Sequence, residues 1–371
     1  MNAIKQLHAL GQSIWYDNIE RGLLANGELA AMIERGEIRG VTSNPSIFSN
    51  AIVKSNRYDY DLITLAEDDY TSEQIYESLA IADIQSACDL FFPLYAQTTG
   101  GDGYVSLEVS PYLARDTEKT CQDAARLWKR VARPNLMIKI PATLEGLPAI
   151  TRTIAAGINV NVTLIFSIQR YEAVMDAYMA GLEQRIAAGE SVDSIASVAS
   201  FFVSRIDSNV DARLQKIVDA GGDAGIRAAA LQGKIAIANA KLAFVRHKAA
   251  FAGGRWQKLA QANAKIQRAL WASTSTKNPA YRDTLYVDEL IAAHTVNTVP
   301  PDTLMSFGEH GTAALTLERG IDLAQAEMDE LAALDISMDA VTQELEVEGV
   351  EKFAAAYTTL LKSVGQRMKS A

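Results

Sequence analysis

Lys139 stands inside the apolar run Leu136-Met137-Ile138-Lys139-Ile140. Burying an ammonium in such a run costs several kcal/mol unless the charge is paired or neutralised. An enclosed interior that also depresses its pKa gives an amine nucleophilic near neutrality, which is what Schiff-base formation with a ketone requires. The alternative is an edge-strand lysine that points to solvent and blocks unwanted pairing. Glu108 interrupts Val105-Ser106-Leu107-Glu108-Val109 in the same way. It either pairs with a neighbouring cation or, beside an amine in the next strand, serves as a proton shuttle to a nucleophile.

Other polar residues fall where apolar runs end. Asp17 closes the first run, and it is either a site carboxylate or the N-cap of a helix beginning near Glu20. Thr42-Ser43-Asn44-Pro45-Ser46 closes the second, where Pro45 forbids continuation of a ladder and Asn44 is a site amide or a turn residue. Asn159, Asn161 and Thr163 alternate, so they share one side of a strand; they line a site or satisfy interior hydrogen bonds. Ser200, Ser204 and Arg205 follow the sixth run, and Ser273-Thr274-Ser275-Thr276-Lys277 follows the seventh. Hydroxyls beside a cation suit a phosphoryl group, although a Ser/Thr-rich loop is also simply a loop.

The elements that must hold these residues are short β-rich runs alternating with longer helical patterns. The expected strands are Ser13–Tyr16, Gly40–Ser43, Tyr104–Val109, Leu136–Ile140, Asn159–Ile165, Ser197–Phe202, Ala269–Ser273 and His294–Thr298. Segments such as Thr117–Arg133 and Ile168–Ala188 between them carry apolar residues at helical spacing. Eight such alternations predict an α/β fold, a (β/α)8 TIM barrel with additional helices, in which strand ends converge on one face. A doubly wound open sheet is the runner-up, but its Gly-rich first turn is missing, since the first strand runs into Asp17-Asn18-Ile19. Helical inserts are expected at about 49–97 and 207–267, the second continuously helical, with a helical tail at about 301–371 broken at Gly308 and Gly311. With no linker, repeat or low-complexity tract, residues 1–371 are expected to form a single decorated domain.

Composition narrows the function classes. The net charge of −10 argues against nucleic acid or an anionic membrane surface as partner, and implies that any phosphate site concentrates its cations locally. No signal-like N-terminus or long apolar run occurs, so the expectation is a cytoplasmic chain with no membrane association. Cys88 and Cys121 have no metal or redox spacing, and His8, His247, His294 and His310 form no ligand pattern, so no metal is expected. Gly100-Gly101-Asp102-Gly103 precedes a strand, the wrong order for a dinucleotide loop, and is read as a turn.

The segments Gly40–Phe48, Ile138–Thr143, Asn159–Ser167 and Trp271–Thr274, with Lys277-Asn278-Pro279, resemble the signatures of the transaldolase family. The matches are collinear from about residue 11 to residue 300, and the tail resembles the longer bacterial members. The resemblance implies a class I aldolase-type barrel with no metal and no cofactor. It implies transfer of a dihydroxyacetone unit from sedoheptulose 7-phosphate to glyceraldehyde 3-phosphate, giving erythrose 4-phosphate and fructose 6-phosphate, in the non-oxidative pentose phosphate pathway. Sugar phosphates are then the partners, and the chain is a monomer or homodimer. By the same resemblance Lys139 is the Schiff-base lysine, and Asp17 handles a substrate hydroxyl proton during carbon–carbon cleavage. Glu108 and Thr163 hold a proton-shuttling water, and Asn44 and Asn161 bind the dihydroxyacetone hydroxyls. Ser200, Arg205 and Ser273 bind phosphate, and Phe202 borders the site. Many members carry an arginine where this chain has Ser275, and Lys277 is the nearest cation. The alternatives are a fructose 6-phosphate aldolase-like enzyme, whose relatives are shorter and carry glutamine in place of Glu108, and a non-catalytic sugar-phosphate-binding barrel.

Overall fold

A computed structural model of the chain describes residues 2–67 and 69–370. Eight parallel strands close on themselves: β1 (Ser13–Tyr16), β2 (Gly40–Val41), β3 (Tyr104–Glu108), β4 (Leu136–Pro141), β5 (Val160–Ile165), β6 (Ser197–Phe202), β7 (Arg268–Ala272) and β8 (Val296–Val299). The ring is sealed by β1 against β8, with Ser13 opposite Val296 and Tyr16 opposite Val299. This is the (β/α)8 barrel that the alternation predicts, and closure rules out the open doubly wound sheet. It also removes every sheet edge, so Lys139 has no edge to guard.

The strand ends show where local chemistry competes with the ladder. β2 stops at Val41, two residues short of expectation, because Asn44 caps the helix Pro45–Lys54 by accepting from Ile47 N at 3.1 Å. Pro45 takes the first helical position, where its missing N–H costs nothing. In β5 the register shifts between Val162 and Ile165, and Leu164 adopts a positive φ of 60°, a bulge directly after Thr163.

The expected inserts are helical. The described helices of the 49–97 insert are Pro45–Lys54, Asp59–Glu67 and Ser72–Gln97. The second insert is not continuous: it is Ser204–Ala220, Gly222–Leu231, Ile235–Ala250 and Gly254–Gln261, with Gly221 and Gly233 at left-handed φ between segments. The tail forms Pro301–His310, Ile321–Ala333 and the long Met338–Ser370. Gly311 ends the first of these as expected, but Gly308 lies inside it.

The long C-terminal helix lies over the end of the barrel where the strands terminate. Its Glu346 pairs with Arg170 at 3.1 Å, both largely buried, and its Phe353 is buried. Gly349 permits the approach, because a Cβ there would stand 3.0 Å from Leu164 Cδ2.

The opposite end of the barrel is closed by Asp102, from the turn Gly100–Gly103. Its carboxylate accepts from Ser13 Oγ at 2.5 Å and Trp15 Nε1 at 3.0 Å, and pairs with Arg39 at 2.9 Å and Arg268 at 3.1 Å. Burial pushes this carboxyl up, but Arg268, the two hydrogen bonds and Arg39 outweigh it and hold the pKa below the usual range. Asp102→Ala strands two cations and is expected to destabilise the fold by about 3 kcal/mol, the low end for a broken buried pair because both arginines keep some solvent. Denaturant unfolding checks this. Activity should be unchanged wherever the variant remains folded, since this is the barrel's stability face.

Candidate functional site

At the C-terminal end of the barrel the strand termini surround a cavity of about 610 Å³. Its lining includes Asp17, Thr42, Asn44, Lys139, Thr163, Ser200, Phe202, Arg205, Ser273, Ser275, Lys277 and Phe353. Nine of the eleven residues singled out from the sequence therefore line one space, although they are spread from position 17 to position 277. Glu108 and Asn161 take other positions.

Glu108, Lys139 and Asn161 are register partners across β3, β4 and β5, which turns all three toward the barrel interior. Lys139 is buried, with 5% of its surface exposed. Its Nζ donates to Ser43 O at 3.3 Å, lies 3.8 Å from Glu108 Oε2 and sits 5.6 Å from the centre of the Phe353 ring. Burial pushes the Glu108 carboxyl up to about 7; Lys139 opposes the rise and Asp17 adds to it. An acid with that value exchanges its proton readily near neutrality. Glu108 Oε2 and Thr163 Oγ1 are both buried without a hydrogen-bond partner in the protein. Two such orphaned oxygens beside an amine offer places for a water or a reacting hydroxyl.

Asp17 caps no helix, because the following helix begins at Arg21 behind Glu20. Thr42 Oγ1 donates to Asp17 Oδ1 at 2.7 Å and also meets Thr298 Oγ1 at 2.6 Å, which fixes the carboxylate at the cavity floor. Burial raises the Asp17 carboxyl, while Lys139, the Thr42 hydrogen bond, Lys277 and Arg205 pull it back. Those opposing effects mean that one carboxylate feels all three cations of the cavity.

Asn44, read from the sequence as a site amide or a turn residue, lines the cavity and also caps a helix, a role the sequence reading did not consider. Asn161 is fully buried below the floor: its Nδ2 donates to Ser106 Oγ at 3.0 Å and its Oδ1 accepts from Ser200 Oγ at 2.7 Å. Ser200 lies within β6 and not after it. Asn159 precedes β5 and ties the backbone of Pro134, Leu136 and Ala196 together, away from the site.

Arg205 and Lys277 enter the cavity from beyond β6 and β7. The Arg205 guanidinium lies 5.0 Å from the centre of the Phe202 ring and, among the described residues, forms no ion pair. Lys277 Nζ donates to Ser275 Oγ at 2.6 Å. Burial lowers the pKa of both, and for Lys277 the nearby Arg205 charge lowers it further. Two neighbouring cations with free donors, in a chain of net charge −10, form an anion site. The strand-seven loop that carries Lys277 is pinned by Thr274 Oγ1, which donates to Asn297 Oδ1 at 2.7 Å, and by Ser273 at a positive φ of 56°. Among the described residues no group of three His, Cys, Asp or Glu side chains has the geometry to hold a metal ion.

Sequence reasoning assigned no role to Thr42 and Thr298, whose hydroxyls at strand ends were the available signal. It gave no sign of Phe353, which reads as one more apolar position in an amphipathic helix.

Comparison with known proteins agrees with the geometry. The model of the family Transaldolase/Fructose-6-phosphate aldolase matches residues 14–364. The chain is 48% identical over 374 residues to a transaldolase of Trichodesmium erythraeum, covering 99% of this chain and 98% of that one. It is 50% identical over 366 residues to a transaldolase of Thermobifida fusca, covering 98% of each. A protein of a Nostoc species named Transaldolase 2 is 44% identical over 374 residues, covering 100% of this chain and 98% of its own length.

Proposed function

The chain belongs to the transaldolase/fructose-6-phosphate aldolase family, and from that premise we propose that it carries a dihydroxyacetone unit between sugar phosphates as a Schiff base on Lys139. The chain is an enzyme of the transferase class. Its donor is sedoheptulose 7-phosphate and its acceptor glyceraldehyde 3-phosphate, the products being erythrose 4-phosphate and fructose 6-phosphate. The observation that carries this proposal is that one cavity is lined both by the buried amine of Lys139 and by the cations Arg205 and Lys277.

The steps follow from the side chains. Lys139 adds to the ketose carbonyl, and Glu108 with Thr163 moves the protons that turn the carbinolamine into an imine and water. Asp17 accepts the proton of a substrate hydroxyl as the carbon–carbon bond breaks. The protonated imine holds the electron pair of the broken bond until the acceptor aldehyde arrives. Asn44 is the amide exposed to the dihydroxyacetone hydroxyls. Asn161 acts from below, by holding Ser200. Ser200, Arg205, Ser273 and Lys277 bind the phosphate, Lys277 filling the place left by the arginine that Ser275 replaces. We also infer that residues 1–371 work as one decorated barrel, in the cytoplasm, as a monomer or homodimer, and with neither nucleic acid nor membrane as partner. No described helix is long and apolar enough to cross a membrane.

Transfer is separated from simple cleavage by supplying fructose 6-phosphate with and without erythrose 4-phosphate. The expected result is sedoheptulose 7-phosphate when acceptor is present and little free dihydroxyacetone when it is not. Rapid release of free dihydroxyacetone, indifferent to acceptor, would instead identify an aldolase.

The phosphate assignment has its own test. A hydrogen bond to a charged group contributes about 1.5–3 kcal/mol, so losing one should weaken substrate binding about tenfold to a hundredfold. Arg205→Ala should lower kcat/KM for fructose 6-phosphate by that factor while changing unphosphorylated fructose little. Lys277→Ala should do the same to a smaller degree, because a flexible point charge makes one contact where guanidinium makes two. Equal losses for both donors would mean that these cations support the barrel and do not read the phosphate.

A further inference from the structure

Glu108 is absent from the lining of the substrate cavity and borders a second one, of about 250 Å³, between the end of β3, the turn after β2 and the helices Ser72–Gln97 and Thr117–Val131. Asn44 belongs to both linings, so the turn after β2 is the partition between them. The second cavity runs from Glu108 past Tyr76 and Tyr357 to Glu73 and Tyr112, which are solvent-exposed. Polar groups mark its course: Tyr357 Oη donates to Glu73 Oε1 at 2.9 Å, and Asp123 accepts from Ser110 N at 3.0 Å. Glu108 stands at its inner end, with Lys139 Nζ of the substrate cavity 3.8 Å from its Oε2.

Imine formation has a by-product that must go somewhere. Lys139 Nζ bonds to the ketose carbon, and the carbinolamine C–O bond then breaks as its oxygen takes the proton of the Glu108 carboxyl. The products are the iminium ion, one water and the Glu108 carboxylate. While a sugar phosphate fills the substrate cavity, with its phosphate end among Arg205 and Lys277, that cavity's mouth is obstructed. We infer that the second cavity is the exit and entry route for the water and proton of imine chemistry, separate from the path of the substrate. The inference rests on the Schiff-base role of Lys139 proposed above. It gives a use to a polar passage that reaches Glu108 without crossing the substrate cavity.

The test follows the ketose carbonyl oxygen, which becomes the released water. Fructose 6-phosphate labelled with heavy oxygen at its carbonyl is incubated with enzyme and a trace of acceptor. Label loss above the spontaneous rate is divided by the rate at which borohydride traps adduct on Lys139. In the parent protein the released water escapes, so each imine formed costs one label. Ala80→Leu narrows the second cavity from the helix Ser72–Gln97, and Leu113→Phe narrows it from the facing loop, so a folding failure of one leaves the other. Either narrowed variant that folds should still form the adduct, but label loss per adduct should fall severalfold, because the trapped water returns to the same imine. Unchanged label loss per adduct in the narrowed variants would overturn the route. Absence of any Lys139 adduct in the parent protein is a different failure, which removes the Schiff-base reading and the route with it.

Discussion

Lys139→Met is expected to lower kcat for ketol transfer by at least about ten-thousandfold while leaving the protein as stable as its parent, or more so. Methionine fills nearly the same volume with no charge, so packing against Phe353 and inside β4 survives. The lysine itself costs stability: its amino group is buried, its one carboxylate partner among the described residues is 3.8 Å away, and its one hydrogen bond there goes to a backbone carbonyl at 3.3 Å. Removing a poorly paired buried charge relieves desolvation, and removing the nucleophile ends covalent catalysis. A structural lysine would show the reverse pattern, with stability lost and activity falling only in proportion. Denaturant unfolding and a transfer assay on the same preparation separate the two.

Glu108→Gln is expected to slow imine formation and hydrolysis by about a hundred- to ten-thousandfold, the range for a lost general acid–base. The amide keeps the shape of the carboxyl but neither gives nor takes the proton. Because burial raises the Glu108 carboxyl to about 7, the parent should lose imine-forming rate as pH rises through that value, and the glutamine variant should lack this limb. Linkage gives a second readout. The folded chain holds a proton that the unfolded chain, at its ordinary 4.5, has released, so this group's contribution to stability is full below 4.5 and lost as pH rises through about 7. The variant should unfold with that part of the pH slope removed. Asp17→Asn supplies the contrast in single-turnover trapping. Imine formation should persist while cleavage stalls, so the ketose adduct accumulates. Accumulation in the Glu108 variant instead would show that the two carboxylates have exchanged or shared roles.

Much of this arrangement was legible in the sequence because a parallel barrel writes its strands as short apolar runs, and a polar residue inside such a run is conspicuous. Lys139 and Glu108 stand out for that reason, and their place in adjacent strands was readable, whereas their register partnership comes from the fold. What the sequence hid was decided by side-chain geometry. Asn161 has the period of an inward residue, and the fold buries it fully with its amide bonded to Ser106 and Ser200, partners no local pattern names. Asn44 offered a choice between turn residue and site amide, and the fold makes it the cap of the helix Pro45–Lys54 at the cavity wall. Gly308 failed as a helix breaker because a single glycine weakens a helix by only about 1 kcal/mol, which packing of Phe307 and Leu304 offsets. Asp102 was read as part of a turn, and it is; no local signal says that the turn aims its carboxylate at Arg39 and Arg268, which are far away in sequence. Phe353 reaches Lys139 only because the C-terminal helix folds back over the barrel, a contact that spans more than half the chain.

The central claim is that Lys139 alone becomes covalently bonded to the substrate. Borohydride reduction in the presence of fructose 6-phosphate, followed by peptide mass mapping, measures this directly. The expected result is one modified peptide, containing Lys139 and carrying a reduced dihydroxyacetone or ketose unit, and no modification in Lys139→Met. Modification of a different lysine, together with retained transfer activity in Lys139→Met, would contradict the account.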